Sequence, residues 1–188
     1  MLSRRDMIAG VGVAGVVALA RRITPVVASA APATTPVNFS VPRGACDCHT
    51  HIVGDPRQFP LTGARAFTPD PASVAELGAL HRALHVDRVV IVQPSFYGTD
   101  NSCTLDAIAQ FGPTARGIAA IDDSTTNAEI DRLHRGGMRG IRVNMIAKGV
   151  DAAALRQQFS AAVGRVRGRG WHVELMTTAL WQIDALKY

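Results

Sequence analysis

Ala45-Cys46-Asp47-Cys48-His49-Thr50-His51-Ile52-Val53-Gly54-Asp55 is the stretch on which the reading of this chain turns. It holds an H-x-H pair inside what reads as a short strand, and a Gly-Asp-Pro turn follows. Side chains alternate across a strand. Asp47, His49 and His51 are therefore expected on one face, and Cys46, Cys48 and Thr50 on the other. Two imidazoles two residues apart on one face can bind one metal ion or grip one oxyanion. Two unrelated surface histidines are the plainer alternative.

Downstream, helical and extended patterns alternate. Val74, Leu77, Leu80, Ala83 and Leu84 recur at helical spacing within residues 72–86. His81 and His85 stand i, i+4 on that helix, a spacing that suits a metal, but exposed or packed structural roles are expected. Val89 to Val92 is a continuous apolar run, the mark of a buried parallel strand. Its end turns polar at Gln93, Ser95, Tyr97, Asp100 and Asn101. Helices are expected at 102–111, 125–135 and 151–169, strands at 116–121, 139–145 and 171–176, and another helix from Thr178. Asp122-Asp123 is expected to end a strand or cap the next helix, with a place facing the pocket as the alternative. Gly170 ends the helix before it. Such alternation predicts an α/β fold with a parallel sheet.

Within 139–145, Gly140, Arg142 and Asn144 share one face, and Ile141, Val143 and Met145 the other. An inward arginine must be paired. A carboxylate-bearing ligand would pair it bidentately, and an internal acid such as Asp47 is the alternative. His172, at the start of its strand, is expected to be structural. The loop from Val53 to Pro71 either covers the pocket or is a plain surface excursion. Cys46 and Cys48 are expected to be small buried apolar residues, with Cys103 packed on its helix.

The D-x-H-x-H on a first strand resembles the amidohydrolase superfamily. Residues 89–101, 115–121 and 137–144 resemble the branch that includes 2-pyrone-4,6-dicarboxylate lactonase. The resemblance runs from about Val41 to the C-terminus. It implies a (β/α)8 TIM barrel of the metal-dependent hydrolase type, and about five of its eight strand–helix units are read here. The chain is accordingly expected to be a C-terminally truncated form. The family's sixth-strand histidine and its eighth-strand aspartate, which activates water, then fall outside it. The open sheet edges would expose apolar surface and offer a route to self-association.

The resemblance further implies hydrolysis of a cyclic ester on a carboxylated small molecule. His49 and His51 would polarise the carbonyl or hold a divalent metal, zinc or manganese, in an incomplete site. Arg142, Asn144, Ser95, Tyr97 and Asn101 would bind the substrate. Against this stands a non-enzyme, either an inactive remnant or a periplasmic small-anion binder. Turnover of a lactone distinguishes them.

Residues 1–30 read as a twin-arginine signal. Ser3-Arg4-Arg5-Asp6-Met7-Ile8 precedes an apolar run to Ala20, and Ala28-Ser29-Ala30 is a small-x-small cleavage site. Periplasmic or secreted localisation is expected, with an uncleaved anchor as the alternative. Residues 31–43 read as a flexible leader and 44–188 as the incomplete barrel domain. The chain carries 20 basic and 15 acidic residues. Four of the former and one of the latter lie in the signal, which leaves a net charge of +2. That balance gives no support for nucleic-acid binding.

Overall fold

Short extended segments, apolar over residues 89–92 and mixed in Cys46–Thr50 and Met138–Asn144, make the strands, and capped segments make the helices between them. The computed structural model describes residues 37–63, 65–146, 151–178, 180–184 and 186. The expected signal and the leader as far as Pro36 lie outside them. The strands are β1 (Cys46–Thr50), β2 (Arg88–Val92), β3 (Ala115–Ala119), β4 (Met138–Asn144) and β5 (His172–Met176). The helices are α1 (Val74–Leu84), α2 (Ser102–Phe111), α3 (Asn127–Arg135), α4 (Ala152–Val166) and α5 (Leu180–Asp184). All strand pairs are parallel, in the order β1-β2-β3-β4-β5. The result is a curled half-barrel with helices. Among the described residues, no helix is long and apolar enough to cross a membrane.

Caps set the helix starts. Ser73 and Glu76 form a reciprocal capping box on α1. Thr126 and Asp151 cap α3 and α4 through their side chains. Asp122 instead closes the turn before α3 by accepting from Ser124 and Thr125. The Ser124 hydroxyl is the chief cause of its lowered pKa.

The core lies between sheet and helices. Val89, Ile91, Met138, Ile141 and Val143 pack with Ile108, Ile130, Leu133, Leu155 and Val166. Each such side chain contributes about 1.5–3 kcal/mol by leaving water. Gly117 lets this layer close, because a Cβ there would stand 2.4 Å from Met138 Sδ and 2.5 Å from Ile108 Cδ1.

Two irregularities re-aim side chains. Asp47 and Thr50 on β1 answer Val89 and Ile91 on β2, so β1 carries one extra residue there. Gly117 and Ile118 on β3 answer Met138 and Gly140, so β4 carries one as well. An added residue interrupts the period of two.

The 53–71 loop is tied at its base. Val53 and Ala72 exchange two backbone hydrogen bonds of 2.9 Å. Phe59 is buried in the core, and Thr62 N–H donates to the Phe96 carbonyl. Gly54 is required under Phe59, whose ring would meet a Cβ at 2.4 Å.

Candidate active site

The extra residue in β1 changes the expected site. Asp47 Oδ2 bonds His81 Nε2 on α1 at 3.0 Å, and His81 is buried. His49 points elsewhere, with Nδ1 3.6 Å from Glu174 Oε2 on β5. Asp47 therefore does not share a face with His49 and His51. It still touches the site through its other oxygen, which accepts the His49 N–H at 3.2 Å. The cysteine expectation is corrected too. Cys48 is exposed and Cys46 half-buried; Cys103 is buried as expected. His85 is an exposed left-handed residue closing α1.

His49 and His51 meet edge to face, with ring centroids 5.3 Å apart. His51 Nδ1 lies 2.7 Å from the Val92 carbonyl oxygen. A carbonyl only accepts, so Nδ1 carries the proton and Nε2 offers a lone pair. Burial lowers the His51 pKa, and the neighbouring Arg142 and His49 charges lower it further. Its neutral form is thereby favoured, and it can accept a proton or a ligand.

Arg142 on β4 is half-buried. Its Nη1 donates to the Gln93 carbonyl at 3.4 Å and its Nη2 contacts Met176 Sδ at 2.9 Å. Neither partner is an anion. Burial lowers its pKa, and Glu174 acts in the opposite direction. Glu174 stands opposite Arg142 in the β4–β5 register. Its Oε1 lies 3.9 Å from His172 Nε2, and its Oε2 is buried with no hydrogen-bond partner among the described residues. Gly140, one row below, leaves room for His172. A Cβ there would stand 2.8 Å from the His172 carbonyl oxygen.

The expected binding residues divide. A cavity of about 600 Å³ lies at the carboxyl ends of β2–β5 against α4, and Ser95, Arg142 and Asn144 line it with Gln93 and Asp123. Ser95 is exposed there. Asn144 Oδ1 accepts from Ile146 N–H. Tyr97 and Asn101 are buried and lie outside its lining. The Tyr97 hydroxyl accepts from Gly54 N–H at 3.1 Å, and burial pushes its pKa well up. Asn101 donates to the Thr99 and Ala120 carbonyls and accepts from Ala120 N–H. Both residues hold the walls rather than face the cavity. The cavity does not reach His49, His51 or Glu174. Arg142 lines the cavity, and its charge also acts on His51.

Among the described residues, no group of three or more His, Cys, Asp or Glu could hold an ion. His49 and His51 offer two imidazoles, and catalytic zinc takes three protein ligands.

Residues 46–186 match the amidohydrolase family over their whole length. The chain belongs to the amidohydrolase family. It is 37% identical over 142 residues to 2-pyrone-4,6-dicarboxylate hydrolase of Comamonas testosteroni, covering 76% of this chain and 46% of that one. It is 30% identical to 4-sulfomuconolactone hydrolase of Rhizobium radiobacter, covering 76% and 48%. A crystal structure of a probable 2-pyrone-4,6-dicarboxylic acid hydrolase from Acinetobacter baumannii, with citric acid bound, superposes with a TM-score of 0.63 at 28% identity, over 75% of this chain and 54% of that one. The chain spans about half the length of the curated relatives it matches. Its five strands are a partial barrel of the amidohydrolase type, as the resemblance implied.

Within this amidohydrolase site, sequence reasoning missed Glu174. The available signal was alternation in His172-Val173-Glu174-Leu175-Met176, which sets a lone acid in an apolar strand on the same face as His172. Its relation to Arg142 needed the register.

Proposed function

We propose that this chain carries the histidine and arginine part of a hydrolase acting on the lactone of a carboxylated small molecule. The carrying observation is Arg142: a half-buried guanidinium, beside the concave site, whose contacts are a carbonyl and a thioether. A cation so situated gains from a carboxylate ligand. Ser95 and Asn144 line the same cavity and are the proposed polar contacts beside it. The matched relatives bear the names of hydrolases, one of a pyrone dicarboxylate and one of a sulfomuconolactone, and this supports the reaction class.

In the proposed reaction Arg142 holds a substrate carboxylate. His51 Nε2, with Nδ1–H tied to the Val92 carbonyl, is suited to take a proton from water near the ester carbonyl. His49 stands beside it as a second polar contact. The working protein is proposed to act in the periplasm, on the strength of the twin-arginine pattern at residues 3–8.

A small-anion binder without turnover is the second reading, favoured by the half-buried Arg142 guanidinium whose contacts are a carbonyl and a thioether. The test is hydrolysis of 2-pyrone-4,6-dicarboxylate by the purified full chain, read as loss of the pyrone's ultraviolet absorbance, alongside calorimetric titration with citrate. Hydrolysis that Arg142→Met abolishes supports the lactonase reading. Citrate binding without turnover of this pyrone or of a hydroxylated, singly acidic lactone supports the binder. Binding and turnover unaffected by Arg142→Met overturn both.

A further inference from the structure

The β4–β5 register sets a carboxylate beside the arginine of the proposed site. Arg142 and Glu174 are direct partners on neighbouring strands, which stand about 4.8 Å apart. The Glu174 side chain is 22% exposed, so it is reachable from the concave face. Its Oε2 is nonetheless buried and unpartnered among the described residues, with His49 Nδ1 at 3.6 Å, beyond a hydrogen bond. His172 Nε2 is farther, at 3.9 Å from Oε1. A buried carboxylate oxygen without a donor is costly. A ligand that brings a hydroxyl supplies that donor. A ligand that brings a second carboxylate to β5 meets a like charge.

We propose that Glu174 is a specificity-determining residue, selecting ligands with one carboxylate for Arg142 and a hydroxyl for Glu174 over ligands with a second carboxylate at that place. The substrate class is then a hydroxylated, singly acidic lactone of the sugar-acid type. The inference rests on the carboxylate-site reading above, and it narrows the substrate. Sites built to hydrogen-bond a substrate hydroxyl discriminate strongly against analogues that lack it.

The experiment is calorimetric titration of the full chain with gluconate, which has one carboxylate and several hydroxyls, and with tricarballylate, which has three carboxylates and no hydroxyl. Wild type, Glu174→Gln and Arg142→Met are compared, each checked for folding by circular dichroism. Wild type is expected to prefer gluconate. Glu174→Gln, which keeps the shape and removes the charge, is expected to bind tricarballylate about tenfold more tightly and gluconate more weakly. A folded Glu174→Gln with unchanged preference, or with both affinities shifted by the same factor, overturns the assignment. A merely structural role would shift both together. Arg142→Met separates the two levels. If it abolishes binding while Glu174→Gln leaves the preference unchanged, only Glu174 is misassigned. If it leaves binding intact, or if wild type binds neither ligand, the carboxylate-site reading fails and the inference with it.

Discussion

The loop after β2 and the β4–β5 pair are both rich in polar groups at the concave end of the sheet, and they differ in where those groups are directed. After β2, Gln93 donates to the Gly98 and Asp100 carbonyls and accepts from Thr104. Asn101 bridges to Ala120, and Tyr97 accepts from Gly54. These side chains meet backbone and one another inside the fold. On β4–β5, Arg142 meets a carbonyl and a thioether, and Glu174 leaves an oxygen unpartnered. Satisfied polar networks rigidify. Unsatisfied ones are where a ligand gains affinity. A polar residue at the end of a barrel strand is thus a functional candidate only when its partners inside the fold are too few.

The contrast makes separable predictions. Asn101→Leu should be the most disruptive for stability, because it strands the Ala120 N–H and two carbonyls in the interior. A loss of roughly 3 kcal/mol is expected in urea unfolding. An unchanged midpoint would show that the loop is not held this way. Arg142→Met should do the reverse. It is expected to weaken citrate binding about 100-fold, roughly 2.7 kcal/mol, with little change in unfolding. Stability loss without binding loss would move Arg142 to the structural side.

Two smaller effects probe the β1 end. His81→Phe removes the imidazole from Asp47 Oδ2 and leaves the part-buried carboxylate without that partner. A cost of about 1–2 kcal/mol is expected, and the His49 ring resonances should shift through the Asp47–His49 N–H link. Unmoved His49 resonances would break the proposed coupling. The smallest effect is on pH dependence. Burial lowers the His51 pKa in the folded chain, so the unfolded state binds the proton first. Both states are neutral at this group well above the ordinary histidine value of about 6.5. Below it the unfolded state is favoured, and stability falls with falling pH. His51→Gln should flatten the Tm difference between pH 7.5 and 5.5. An equal difference in both proteins would place the pH dependence elsewhere.

The sequence named candidate residues, and the structure shows where each one lies. His49 and His51 were named from their spacing, and Arg142 from its place on one face of β4 with Gly140 and Asn144. Ser95 and Asn144 do line the cavity. Tyr97 and Asn101 stand on the same polar run, yet their burial depends on Gly54 and Ala120, which lie 43 and 19 positions away. Cys48 reads as a buried strand residue and is exposed, because strand composition does not say which side a neighbour covers.

The sequence by itself determined the order of strands and helices. Buried parallel strands are runs of apolar residues, and helices carry their period and caps within a few positions of the chain. Only the tertiary structure decided where Asp47 points, since the extra residue in β1 appears against β2 and is invisible in β1 alone. It also decided that Glu174 faces Arg142, because those residues are 32 positions apart and meet through strand register. Local patterns select elements, whereas register joins residues distant in the chain, and the chemistry of this site depends on register.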